Sequence, residues 1–277
     1  MTQPLINPEP CTLEVSDEHP DGIVTAIDTR HLVIEDDTPV DNFQSAQQQR
    51  LLIDPLYSTR PIPAPFIAEA NVGLFYELKG DPIVPDVLLS LGVKRAEDFS
   101  QRDNRTYFVW QFGKVPEVCI EIVSNQEGDE IELSSKSQRR GKVRSKKARY
   151  AQMKVPYYVV FDPLQQIQGN ANMAGALLRV WTISPTGYLE LSPTAGVTEV
   201  GQTVWLDGIG LGLTLWLGAY EEETPRLWLR WCDRFGQVIP TGAEGQSTER
   251  QRAETERQRA DRLAQKLRDL GIAPDTL

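Results

Sequence analysis

Asp86, Glu121 and Lys146 are the residues whose types and setting could do chemistry. Asp86 lies in Val84-Pro85-Asp86-Val87-Leu88-Leu89, and Glu121 in Pro116-Glu117-Val118-Cys119-Ile120-Glu121-Ile122-Val123-Ser124. Lys146 belongs to a basic segment that runs into Tyr150. Both acids interrupt apolar runs that read as buried strands. A buried carboxylate is costly without a partner, and a divalent cation is a natural one. For an isolated strand carboxylate a structural arginine partner is the commoner case; two such acids placed beside a basic helix shift the balance. A hard cation, Mg2+ or Mn2+, binds through one or two carboxylates, water and phosphate oxygens. Its bound water would attack a phosphate in line, and a lysine would orient that water or offset transition-state charge. The set therefore suits metal-dependent phosphodiester hydrolysis, with Asp86 and Glu121 as metal ligands and Lys146 as the catalytic lysine.

Other chemistries find little material. The chain has only two histidines, His19 and His31, both in the acidic N-terminal region, so a histidine-rich metal site is excluded and a Ser-His-Asp or Cys-His triad is disfavoured. Its three cysteines, Cys11, Cys119 and Cys232, are far apart and include no Cys-x-x-Cys pair. That argues against a disulfide framework and a structural zinc site. No glycine-rich phosphate loop follows a strand, and Gly208-Ile209-Gly210-Leu211-Gly212 opens into apolar sequence. No apolar run approaches the ~20 residues that span a bilayer, and Met1-Thr2-Gln3-Pro4 lacks a secretory signal's features, so the cytoplasm is the default expectation. The net charge of −10 is poor for generic nucleic-acid binding. Its distribution matters more. From Lys136 to Arg149 there are eight basic residues and no acidic one, just after the cluster Glu127, Asp129, Glu130 and Glu132. The stretch is a local phosphate-binding surface or a solvated helix face paired with those acids.

The elements that must position these residues follow from apolar periodicity. Residues 1–40 read as an extended arm, and 41–240 as the main domain. A helix is expected from Asp41 to about Leu52, ended by Pro55, followed by a stiff loop at Pro61-Ile62-Pro63-Ala64-Pro65. Strands are expected at Asn71–Leu78, Ile83–Leu91, Asn104–Phe112 and Glu117–Ser124. In the last, Val118, Ile120 and Ile122 face one way and Cys119, Glu121 and Val123 the other. A helix capped at Ser134 or Ser135 should run to about Met153, leading to a strand at Tyr157–Phe161. Strand, helix, strand is a crossover, so the two strands should be parallel. A hairpin is expected around Ser184-Pro185-Thr186-Gly187, and a further strand at Leu227–Cys232. On the basic helix, Lys142, Lys146, Tyr150 and Met153 share a stripe. Lys146 should reach the strand end carrying Glu121, with Arg144 and Lys147 pointing elsewhere and Lys147 toward solvent. A register slip of one residue would exchange Lys147 for Lys146.

Taken together, Pro85-Asp86-Val87, the Pro116 to Ser124 stretch, Lys146-x-x-x-Tyr150 and Val155-Pro156-Tyr157-Tyr158-Val159-Val160-Phe161-Asp162-Pro163 resemble a known pattern. It is that of the bacterial family of putative restriction endonucleases within the PD-(D/E)XK nuclease superfamily, over roughly residues 40 to 220. The resemblance implies a mixed central sheet flanked by helices and a Mg2+-dependent site acting on DNA, with Asp86 and Glu121 as ligands and Lys146 as the catalytic lysine. The sequence departs from the superfamily's common form in one respect: the position two after the second acid is Val123, so the lysine's role falls to Lys146 on the next helix. A second departure is the insertion from Gly128 to Arg144. For the acid that the superfamily often carries on an early helix, Glu69 and Glu77 are weak candidates. The competing reading is a catalytically inactive relative that keeps the fold as a binding or assembly module.

The tail is of another kind. Arg250-Gln251-Arg252-Ala253 recurs as Arg257-Gln258-Arg259-Ala260, seven residues on. Ala253, Ala260 and Leu267 fall at one seam position, and Glu256, Leu263 and Leu270 at the other. A charged helix over residues 244–271 is expected. It either pairs with a copy of itself as a coiled coil, giving a homodimer, or stands alone in solvent.

Overall fold

The computed structural model describes residues 42–133, 137, 138, 141, 143–169, 171–193 and 196–270. The expected N-terminal arm and the proposed helix caps Ser134 and Ser135 lie outside the described residues, as does Lys142.

Apolar alternation builds a mixed sheet of six strands: β1 (Phe66–Ala70), β3 (Val87–Leu91), β5 (Val118–Ile122), β6 (Tyr157–Phe161), β7 (Leu178–Ser184) and β8 (Gly187–Glu190), hydrogen-bonded in the order β1-β3-β5-β6-β7-β8. β5 and β6 run parallel, with Val118 against Tyr157 and Ile122 against Phe161, as the crossover reading requires. The other pairs are antiparallel. The β7–β8 hairpin turns at Pro185-Thr186, and Gly187 follows at φ +122°, a conformation open to glycine. A three-stranded antiparallel sheet follows: β9 (Thr203–Leu206), β10 (Leu211–Gly218) and β11 (Arg226–Cys232).

Strand alternation divides the core in two. Val87, Val118, Ile120, Val159 and Val180 face a layer made of α1 (Phe43–Thr59) and the three-stranded sheet, packing with Leu52, Leu56, Leu213, Leu229 and Trp231. Leu88, Cys119, Val123, Tyr158, Val160 and Trp181 face the other way, beneath α3 (Lys146–Met153) and the short parallel pair β2 (Leu74–Phe75) and β4 (Tyr107–Phe108). Glu121 belongs to this second face by the same alternation. No described helix is long and apolar enough to cross a membrane.

Several elements differ from the sequence reading. α1 runs through Pro55 to Thr59, because Leu51, Leu52, Pro55 and Leu56 are all buried and tertiary packing outweighs the missing N–H. Gln48, fully buried on α1, accepts from the Leu229 N–H at 2.9 Å and donates to the Leu229 carbonyl at 2.8 Å, acting as a strand partner for β11. The stretch from Asn104 to Phe112 is not one strand. It is a 3₁₀ turn at Arg102–Arg105, the two residues of β4, and the short helix α2 (Val109–Phe112). Its aromatic residues stack on one another, Tyr107 on Phe112 and Phe108 on Trp110, rather than alternating across a sheet. β1 had no expected counterpart, and β2 keeps only two residues of the expected 71–78 strand. The basic helix begins at Lys146. Ser145 is its N-cap and accepts from the Ala148 N–H at 3.3 Å.

Candidate active site

The β3–β5 register brings the two acids together. Val87 pairs with Ile120, so the next position outward sets Asp86 opposite Glu121 on the same face. Asp86 stands just before β3, and its Oδ2 accepts from the Ile122 N–H at 2.5 Å. Glu121 is nearly the last residue of β5 and only 1% exposed. Lys146, the first residue of α3, donates from Nζ to Glu121 Oε2 at 2.6 Å. Tyr150, one helical turn further, is buried and donates from Oη to Glu121 Oε1 at 2.8 Å. The i, i+4 spacing of Lys146 and Tyr150 puts both on the helix face that meets β5, so each carboxylate oxygen of Glu121 receives one donor.

The helix start is tied to the preceding loop. The Lys146 and Lys147 N–H groups donate to the Asp129 and Glu130 carbonyls at 2.8 and 3.0 Å. Tyr158 Oη, beneath them, donates to the Glu130 carbonyl at 2.8 Å. The acidic stretch before the helix thus serves through its main chain as the helix's docking platform.

Burial pushes the Glu121 carboxyl up to about 8; Lys146 pulls the other way, and the negative charge of Asp86 adds to the rise. Burial alone would lower Lys146, but the charges of Glu121 and Asp86 outweigh it, and its ammonium is held above its ordinary range. The Tyr150 hydroxyl is raised well above its ordinary value by burial and by Glu121, so it stays a donor. Asp86 and the buried Glu121 thus act on each other electrostatically, and Lys146 offsets both. Two hard oxygen donors suit a small divalent cation that keeps several waters. Among the described residues no group of three or more His, Cys, Asp or Glu side chains gathers to hold a metal, and this site brings two acids together.

The neighbours of Lys146 sit differently from the helical-stripe reading. Lys147 does not face solvent: its Nζ lies 4.2 Å over the Trp181 ring, beside Arg179, and burial lowers its pKa. The register itself stands, since it is Lys146 that meets Glu121. Arg144 does not point away; with Lys146 and Arg149 it lines an open cleft of about 440 Å³ to which Tyr76, Glu77, Asp81, Asp129 and Val143 also contribute. Glu77 therefore borders the cleft, whereas Glu69 is taken up in an ion pair with Arg95. Tyr150 as the second holder of Glu121 was signalled by its spacing from Lys146. Arg149 carried no such signal, because the wall it meets comes from residues 76–81, remote in sequence.

Fold and site define the class: a mixed six-stranded sheet flanked by helices, with two acids at adjacent strand ends and a helix lysine, is a restriction-endonuclease-like α/β architecture. Residues 33–168, which span β1 to β6 and include the candidates Asp86, Glu121 and Lys146, match the Uma2 family, described as "Putative restriction endonuclease". The resemblance read from the sequence is thereby borne out. No curated protein matches the chain.

Proposed function

We propose that the protein is a metal-dependent endonuclease that hydrolyses DNA phosphodiester bonds, with Asp86 and Glu121 as Mg2+ or Mn2+ ligands and Lys146 as the catalytic lysine. The observation that carries this reading is the convergence of three residues, 60 positions apart from first to last, on one strand end: Asp86 opposite Glu121, and Lys146 Nζ 2.6 Å from the Glu121 carboxylate. When bound, the cation supplies charge neutralisation and a water of lowered pKa. The chain's own residues prepare the place. The Ile122 N–H fixes Asp86, and Tyr150 fixes one oxygen of Glu121. Lys146, freed from Glu121, can donate to a phosphate oxygen or orient the attacking water. The adjoining cleft sets Arg144 and Arg149 beside Lys146.

The second reading is a nuclease-fold binding or assembly module without catalysis. It is favoured by the direct Lys146–Glu121 contact, which occupies both groups, and by the net charge of −10. Nicking of supercoiled plasmid with Mg2+ or Mn2+ separates the two. The nuclease reading expects nicking that EDTA and Glu121→Gln abolish; equal nicking by both proteins, or none by either, contradicts it. The reading also includes a homodimer. It is supported by the 28-residue helix α4 (Gly242–Asp269), none of whose residues is buried.

A further inference from the structure

We propose that Arg149, with Arg144 beside it, forms a phosphate-binding subsite that grips the DNA backbone at a phosphate flanking the one held near Asp86 and Glu121. The proposal rests on the DNA reading of the site but not on catalysis. Arg149 lies one helical turn from Lys146, and both line the same cleft. Its Nε donates to Tyr76 Oη at 3.3 Å, and one terminal nitrogen donates to the Asp81 carbonyl at 3.0 Å. Both acceptors are neutral, and the guanidinium also lies 5.7 Å from the Tyr76 ring centroid. The group is thus held in place by neutral acceptors: among the described residues no carboxylate is in ion-pair contact with Arg149 or Arg144, although Glu77, Asp81 and Asp129 line the same cleft. A guanidinium has five N–H donors in a rigid fork, and the two bonds above use only part of it. Arg144 is exposed and donates to the neutral Gln152 side chain.

Three acids, Glu77, Asp81 and Asp129, also line the cleft, and two of them accept from neutral side chains. Asp129 accepts from Ser137 Oγ at 2.6 Å, and Glu77 from Gln152 Nε2 at 3.5 Å. The helix end itself offers no anion site, because the Lys146, Lys147 and Ala148 N–H groups already donate to Asp129, Glu130 and Ser145. An anion entering the cleft must be met by side chains. With Lys146 facing Glu121, the two arginines are the remaining cations among the described residues that line the cleft. Repeating anions along a strand would place one phosphate at the acids and the next at Arg149.

The test is the salt dependence of binding to a labelled duplex oligonucleotide, read by fluorescence anisotropy with Ca2+ in place of Mg2+. Each lost phosphate contact lowers the magnitude of the slope of log K against log salt by ~0.9. Arg149→Gln should lower it by that amount, and the Arg144→Gln, Arg149→Gln double variant by roughly twice that amount. Arg149→Lys, which keeps the charge, should restore the slope while binding more weakly. Arg226→Gln, on β11 and paired with Glu222, should leave the slope unchanged. If Arg149→Gln does not fold, Arg144→Gln at its exposed position and Arg149→Lys still read the subsite. An unchanged slope in the arginine variants, or no duplex binding by the wild type, overturns the proposal. A lowered slope without any plasmid nicking would leave the subsite standing and remove catalysis. Nicking with an unchanged slope would do the reverse.

Discussion

Glu121 takes its properties from alternation along β5. Its neighbours Ile120 and Ile122 are committed to one core, so the carboxylate is forced into the other, beneath α3. Tyr150 and Lys146 then hold one oxygen each. Removing the Tyr150 hydroxyl leaves one Glu121 oxygen without its buried donor. Tyr150→Phe should cost about 1–3 kcal/mol in denaturant unfolding, with the aromatic packing on Tyr158 kept; unchanged stability would show that the bond contributes nothing. Lys146→Met should lower nicking roughly 100- to 1000-fold, the usual effect of removing a group that stabilises transition-state charge. Asp86 and Glu121 were legible in the sequence because a charged residue inside or beside an apolar run stands out, and Lys146 because it shares a helical stripe with Tyr150. Arg149 and Lys147 were not. Helical spacing gives a direction around the axis, but not what the 76–81 loop or Trp181 presents there.

Among the elements, β5, β6, the β7–β8 hairpin and β11 were legible because their residues alternate or cluster as strand formers do. β1 was hidden behind the prolines before it, and the extent of α3 was overread because basic residues favour a helix without requiring one. Unforeseen too was the link between β11 and α4. Arg230 on β11 is fully buried, lies 4.8 Å from the Trp216 ring centroid, and donates to Glu244 at 2.7 Å and to the Ile239 carbonyl at 3.0 Å. Glu244 also closes the capping box with Thr241 that starts α4. Burial would raise the Glu244 carboxyl, but its hydrogen bonds with Arg230 and the Thr241 N–H bring it below its ordinary 4.5. A depressed carboxylate stabilises the fold above its unfolded pKa, and that contribution is lost as pH falls through the folded value. Glu244→Gln should therefore cost about 1–3 kcal/mol near neutral pH, and the difference from wild type should shrink as pH falls below 4.5. A difference independent of pH would show that the charge on Glu244 is not what Arg230 requires.

At the scale of the whole molecule, α4 is tied to the domain by its first turn, through Glu244 and Gly242, and is exposed beyond it. From Gln246 to Leu270 every residue but Ala264 and Leu267 is exposed, Leu263 and Leu270 at 54% and 74%. An isolated helix with so little buried gains stability by pairing, and its heptad seam is the face available. Sedimentation should find a dimer for the full chain and a monomer after truncation beyond Ser247, a cut that spares the Glu244–Arg230 pair. Monomers in both cases would exclude α4 as a dimerisation element. The central claim is that Asp86 and Glu121 share one cation, and calorimetric titration with Mn2+ tests it most directly. The wild type should bind one ion per chain at this site, Asp86→Asn and Glu121→Gln should each lose it, and Lys146→Met, which leaves both acids without their ammonium, should keep or tighten it. Undiminished binding in either acid variant would contradict the shared site.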